Sequence, residues 1–371
     1  MPKSSAAPSP TPGRDAEPAP GAGGKSCGPG GRRADRLTRR IGLLRVEAAS
    51  LSIRRTKRGR GWSYVDADGT PVRDAETLAR FASLAVPPAY ADVRFAADPR
   101  AHIQAIGRDD AGRTQYRYHP DWVKVRERRK AQRLLRLVQR LPVVRRAVTR
   151  HLSAQTPSRA FALACAIELI ACTAIRAGDE AYARQRGTRG AATLLKSNVR
   201  IEGDTVALSF KAKGGKAVSK AVTSARLAAA LRTLLTLPGR RLFQYRDAAD
   251  AIHIVRRQDI NAFLQEVAGA KISVKDFRTL CASAMVLETL ARTVPAASAR
   301  GRRKQVLEAV RAAADSLANT PAICRKSYVH ETVVTAFETG VLEGFSATMK
   351  QCRTAARREQ IVAQVLVGMA S

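Results

Sequence analysis

Hydrophobic and polar positions follow two patterns along the chain, and the change falls near residue 125. From about 50 to 125 the apolar stretches are short and punctuated by Gly and Pro: Trp62-Ser63-Tyr64-Val65 before the Asp68-Gly69 turn, Val86-Pro87-Pro88, Ile103-Gln104-Ala105-Ile106 and Tyr116-Arg117-Tyr118. Runs of this kind predict strands and hairpins. A basic helical stretch from about Trp122 to His151 follows, and the spacing beyond it is mainly helical. The apolar run Phe161 to Ile175, interrupted by Glu168, predicts a buried helix with Thr156 as N-cap and Pro157 at the first helical position, leading to Arg176.

Val199 and Ile201, then Val206, Leu208 and Phe210, alternate with polar residues across Glu202-Gly203-Asp204. A second turn at Lys213-Gly214-Gly215 leads to Val218, so a small antiparallel meander with lysines at one tip is expected. Ile260, Phe263, Leu264 and Val267 keep helical spacing before Gly269, as do Phe277, Leu280, Cys281, Ala284 and Leu287. The expected fold class is α+β. Its parts are a tail over 1–45, a β-rich domain over 46–125, a mainly helical domain with a β insertion over 126–345, and a helical extension over 346–371.

Composition narrows the function. Residues 1 to about 36 hold seven of the 17 prolines, and such a segment cannot bury enough apolar surface to offset chain entropy, so disorder is expected there. Gly24-Lys25-Ser26 falls short of a phosphate loop, because Ala19 stands where the motif needs Gly and no strand precedes it. The 65 Lys+Arg against 31 Asp+Glu give a formal charge of +34 and call for a polyanionic partner, nucleic acid first. The longest apolar run is too short for a bilayer and no signal core follows the N-terminal lysine, so a cytoplasmic location is expected. Six cysteines (27, 165, 172, 281, 324, 352) form no CxxC pair and no cluster with histidine. Neither zinc nor disulfides are expected, and the thiols should be reduced and mostly buried.

Four dispersed segments carry candidate chemistry. Asn319-Thr320-Pro321-Ala322-Ile323-Cys324-Arg325-Lys326-Ser327-Tyr328 places a tyrosine two residues past a basic pair. With an ordinary pKa of about 10 its hydroxyl is neutral at pH 7 and needs cationic help to attack a phosphodiester. Thr173-Ala174-Ile175-Arg176-Ala177-Gly178-Asp179-Glu180 and Lys275-Asp276-Phe277-Arg278-Thr279 each offer an arginine, whose planar fork suits the non-bridging oxygens of a phosphate. Phe210-Lys211-Ala212-Lys213-Gly214-Gly215-Lys216 offers lysines on a flexible tip. Taken singly, each has a plain structural reading. Arg176 could face a helix dipole, Arg278 could pair with Asp276, Lys213 could be solvated, and Asn319 could shape the turn before a helix capped by Thr320.

In their order along the chain, over roughly residues 50 to 345, the segments resemble the small bacterial and poxviral type IB DNA topoisomerases. The resemblance implies a C-shaped clamp on double-stranded DNA, acting as a monomer in the nucleoid without ATP, metal or other cofactor. Tyr328 would be the nucleophile and Arg176 and Arg278 the guanidinium pair. Lys213 would be the general acid, with Lys211 and Lys216 as neighbours on the same turn, and Lys275 would support proton transfer. Poxviral members carry histidine at the position of Asn319, whose amide can donate a hydrogen bond but cannot exchange a proton. Gln115, Tyr116, Arg117 and Tyr118 match the segment that reaches the major groove, although alternating aromatics also suit strand packing. A tyrosine recombinase is the nearest alternative, but its second arginine typically follows a histidine by three residues, the place Lys275 occupies. A noncatalytic nucleoid protein bound by charge alone is the other.

Overall fold

The structure, a computed structural model, describes residues 38–369 apart from residues 60 and 155. The proline-rich tail, with Cys27 and Gly24-Lys25-Ser26, lies outside the described residues. By its contacts the chain forms two compact units, residues 1–128 and 129–371.

In the first unit β1 (Ile53–Arg58), β2 (Gly61–Val65), β3 (Ala91–Phe95), β4 (Ile103–Arg108) and β5 (Thr114–Tyr118) form one antiparallel sheet in the order β2-β1-β3-β4-β5. Helix α1 (Ala75–Ser83) starts where the Asp74 carboxylate accepts from the Thr77 N–H at 2.8 Å, and its Phe81 packs on the sheet with its ring centroid 4.4 Å from that of Phe95. Val86-Pro87-Pro88 is a loop and not a strand. A proline offers no N–H to a ladder, and the loop's carbonyls are taken instead by Arg55, which donates to Val86 at 3.1 Å, Pro87 at 3.0 Å and Tyr90 at 2.9 Å. The end of the expected tail is also packed: Leu43 is buried beside Trp122 and Val125, and Leu44 bridges to Ala101.

The division between the units falls within α2 (Pro120–Ser153). At the centre of the second unit lies α3 (Arg159–Thr173), buried at every residue from 161 to 170. A helix apolar all round belongs inside a core. Its N-cap is Ser158, whose hydroxyl accepts from the Phe161 N–H at 3.3 Å, while the carbonyl of Pro157 accepts from Arg246 at 2.9 Å. Thr156 and Pro157 therefore precede the helix and do not open it.

The expected meander is present as β6 (Val199–Glu202), β7 (Thr205–Lys211) and β8 (Ala217–Thr223), with Val206, Leu208 and Phe210 facing inward. Short helix α4 (Glu180–Arg186) and α5 (Ala225–Leu235) flank it in sequence, and a hairpin of β9 (Gln244–Arg246) and β10 (Ile252–Ile254) follows. Then come α6 (Arg257–Ala268), closed by Gly269 at φ 57, and α7 (Val274–Ala291). The chain ends with α8 (Ala299–Ser316), α9 (Pro321–Ser327), α10 (Glu331–Glu338), α11 (Ser346–Lys350) and α12 (Ala355–Gly368). The fold class is α+β. Cys165, Cys324 and Cys352 are buried and Cys281 is half-buried, but Cys172 is exposed where, with Ala171, the last turn of α3 meets solvent.

Candidate active site

Tyr328 sits at the C-cap of α9, a short helix started by Pro321 and capped by the Thr320 hydroxyl, which accepts from Ile323 at 3.3 Å. Its backbone is fixed from two other helices. Ser283 of α7 donates to the Tyr328 carbonyl at 3.2 Å, and Lys130 of α2 donates to the next carbonyl, that of Val329, at 2.7 Å. The side chain is 8% exposed. Cations surround its ring: the Arg278 guanidinium carbon lies 4.8 Å and the Lys275 ammonium 5.9 Å from the ring centroid. Burial pushes the phenol's pKa up, but the charges of Arg278, Arg176 and Lys275, with a hydrogen bond from Arg278, outweigh it and leave the group below its ordinary value.

Arg176 leaves α3 through a left-handed turn at Ala174, φ 51 and ψ 28. The short 3-10 turn Ala191–Thr193 then holds it, because Ala191 donates to the Arg176 carbonyl and Ala192 to that of Ala177, both at 2.8 Å. Gly190 is required here: a Cβ would stand 2.5 Å from the Arg176 carbonyl oxygen. Asp179 and Glu180, part of the same motif, are structural. Asp179 caps α4 by accepting from Ala181 at 3.1 Å, and Glu180 pairs with Arg241.

Arg278 is 3% exposed on α7 and spends its fork on main chain, donating to the carbonyls of Ala174 and, at 2.9 Å, Leu317. Burial, opposed mainly by the nearby phenol, lowers its pKa. It does not pair with Asp276, whose carboxylate accepts from the Ser273 N–H at 2.8 Å to cap α7 and faces Arg133 at 3.4 Å. Arg176 donates to the Asn319 side-chain oxygen. Asn319 is 6% exposed, and its amide nitrogen is buried with no hydrogen-bond partner among the described residues. An unmet buried donor costs about 1–3 kcal/mol, so it points to an acceptor supplied from outside.

Between these elements lies a cavity of about 10 Å³, room for a single water, with Arg176, Arg189, Lys220 and Arg278 in its lining. Arg189 and Lys220 were not singled out in the sequence. Five of the six expected residues (Tyr328, Arg176, Arg278, Asn319 and Lys275) thus share one region. The sixth, Lys213, lies exposed on the β7–β8 tip, as do Lys211 and Lys216, and it makes none of the contacts that join the others.

In the first unit the expected groove-reading segment is β5. Its Gln115 amide donates to Asp109 at 2.9 Å and its Arg117 fork to the Ala85 carbonyl at 2.9 Å, while the Tyr116 and Tyr118 rings stack with centroids 5.9 Å apart. Strand geometry explains the pairing of the tyrosines two residues apart on one face. His102 accepts from the Val46 N–H at 3.2 Å and packs on Trp122.

A buried tyrosine among guanidiniums, with a spare amide donor beside them on a chain this basic, is an arrangement chemically able to pass a phosphodiester to a phenol. Residues 120–356 match the catalytic core of eukaryotic DNA topoisomerase I, and residues 61–109 match the N-terminal domain of bacterial DNA topoisomerase IB. A DNA topoisomerase 1B of Acanthamoeba polyphaga mimivirus is 30% identical over 284 residues, which cover 75% of this chain and 84% of the viral one. The chain belongs to the type IB DNA topoisomerases. It is an isomerase acting on double-stranded DNA, and the phosphotyrosine route is general to that family. Among the described residues no helix is long and apolar enough to cross a membrane.

Proposed function

We propose that Tyr328 attacks a phosphodiester of supercoiled duplex DNA. The phenolic oxygen forms a bond to phosphorus, the bond to the 5′ oxygen breaks, the phenol's proton is lost and one proton is delivered to the departing hydroxyl. Strand rotation follows, and religation reverses each step. Arg176 and Arg278 neutralise the non-bridging oxygens of the pentacoordinate state, Asn319 donates its spare amide hydrogen to one of them, and Lys275 supports proton transfer. Lys213 is the general acid, reaching the 5′ oxygen when the hairpin tip folds over bound DNA.

The observation that carries this reading is the convergence of Arg278, Arg176 and Lys275 on the buried Tyr328. In the same reading the 46–125 domain contacts DNA through Gln115, Tyr116, Arg117 and Tyr118, the 126–345 domain cleaves it, and 346–371 extends the latter. The two domains form a C-shaped clamp, and the enzyme acts as a monomer at the nucleoid. For Gln115 and Arg117 to read bases, each must exchange its present partner, which DNA phosphates and base edges can offer. The test is relaxation of a supercoiled plasmid in the presence of chelator, with an adduct that survives denaturant. Absence of the adduct from the wild-type protein on cleavable DNA rules the reading out.

A further inference from the structure

Lys220 occupies a position that the alternation of its strand assigns to an apolar residue. In β8 the inward positions are Val218, Lys220 and Val222, which pair with Phe210, Leu208 and Val206 of β7, while Ala217, Ser219 and Ala221 face outward. A lysine turned toward a core must find an acceptor, because an ammonium left without one is costly. Lys220 finds it at the end of α3, donating to the Thr173 carbonyl at 2.6 Å. The next carbonyl, that of Ala174, takes the Arg278 fork. Two cations from different elements therefore grip consecutive carbonyls of the turn that delivers Arg176. The negative end of the α3 dipole lies at that point, so both bonds are favoured by the helix itself.

We propose that Lys220 is a positioning residue for Arg176, fixing the Thr173–Ala174 turn so that the Arg176 guanidinium meets the scissile phosphate. This rests on the assignment of Arg176 given above. Lys220 also lines a wider pocket of about 300 Å³, with Ser219, Asp315 and Ala318, that opens beside the catalytic cavity. Its remaining N–H groups are thus near the space where a phosphate would sit, although its contact in the structure is to the backbone. The charged and titratable groups facing it are Arg278 and Cys281 from α7, Asp315 from the end of α8, and Arg176 and Arg189 across the cavity. Burial lowers its pKa, Cys281 opposes that shift and Arg278 adds to it. The ammonium is therefore less costly to discharge than that of an ordinary solvated lysine.

The proposal separates from general-acid catalysis in a defined set of measurements. Lys220→Met keeps the aliphatic stem and removes the bond, and Lys220→Arg keeps a donor to the same carbonyl. In full-length protein Lys220→Met should slow cleavage of a suicide duplex by on the order of 10- to 100-fold, with noncovalent affinity changed less than about 2-fold, because misplacement of a transition-state group by even 1 Å has that effect. Lys220→Arg should recover most of the rate and remove any loss of activity at high pH that discharge of Lys220 causes. A 5′-bridging phosphorothiolate, which needs no protonation of its leaving group, should not rescue Lys220→Met. Amide exchange gives a readout that does not depend on activity: the Ala191 and Ala192 N–H groups, bonded to the Arg176 and Ala177 carbonyls, should exchange faster in Lys220→Met while the amides of α12 are unchanged. Rescue by the phosphorothiolate would make Lys220 a proton donor and overturn the positioning role. Unchanged exchange at Ala191 and Ala192, or an unchanged cleavage rate, would overturn it too. Failure of the wild-type protein to form an adduct would strike the proposed function and leave the exchange result to decide the role of Lys220 in placing the turn.

Discussion

Arg278 and Lys213 are both cations expected to act on one phosphate, and the protein treats them oppositely. Arg278 is buried, crossed by main-chain carbonyls and stacked on Tyr328. Lys213 stands on a turn whose Gly214 and Gly215 take φ 78 and 77, open to solvent. In the proposed function the difference separates two kinds of catalytic group. A group that stabilises charge in the transition state gains from being fixed beforehand, since no reorganisation is then needed during the reaction. A group that protonates a departing strand must approach only after the strand is in place, and a flexible tip allows that at the cost of order in the free enzyme.

The comparison breaks most completely at the nucleophile. Tyr328→Phe should abolish the covalent adduct and relaxation while leaving noncovalent DNA binding intact, as measured by denaturing gels and by titration of a labelled duplex. The ring and its contacts with Arg278 and Lys275 remain, so any adduct from this variant would move the nucleophile elsewhere.

Next in size are the two arginines, which should differ from each other in stability. Arg176→Ala and Arg278→Ala should each slow cleavage by on the order of 10²-fold or more. Arg278→Ala should also cost roughly 3 kcal/mol of folding stability, because it leaves two buried carbonyls without a donor. Arg176, whose side chain among the described residues hydrogen-bonds Asn319 alone, should cost far less. Equal melting temperatures for the two variants would erase the distinction between a fork that builds the site and one that only serves it.

Lys213→Ala should leave stability unchanged and slow cleavage, and a 5′-bridging sulfur should restore its rate while giving Arg278→Ala much less. Rescue of Lys211→Ala or Lys216→Ala in its place would transfer the role along the tip.

An effect on stability alone, small at neutral pH, concerns His330, two residues past Tyr328, whose ring accepts from Thr332 at 3.1 Å. Burial first, and the charge of Lys130 second, push its pKa down from 6.5 to about 4. Its folded-state pKa is therefore below the unfolded one, and the unfolded chain binds the extra proton. Stability from this group is complete above pH 6.5 and is lost as pH falls toward about 4, with a slope of up to about 1.4 kcal/mol per pH unit. Denaturant melts of His330→Gln across that window should lack this component.

Much of this was legible in sequence where a local pattern fixes the outcome. The buried α3, the β6–β7–β8 meander and the Gly269 stop follow from periodicity and turn chemistry alone. Strand β1 was not, because Ile-Arg-Arg-Thr-Lys-Arg has a single buried position and its strand character comes from its neighbours β2 and β3. Val86-Pro87-Pro88 misled because its apolar side chains resemble a strand, whereas its backbone is held by Arg55 from a distance in sequence of about thirty residues. Lys220 was hidden in plain view: Val218-Ser219-Lys220-Ala221-Val222 shows a charge at an inward position, but only the fold supplies the Thr173 carbonyl that explains it. Arg189 had no such signal.

The anchoring of the tyrosine segment also has a mechanical side. If DNA is joined to Tyr328 as proposed, the torsional load of the supercoil would be delivered to one side chain at the end of a seven-residue helix. The carbonyl of Tyr328 is tied to Ser283 and that of Val329 to Lys130, so force arriving at the phenol would pass to the two longer helices α7 and α2 as well as to α9. Such a mooring lets the DNA turn while the reactive bond keeps its alignment, and resealing needs only the return of the free strand end.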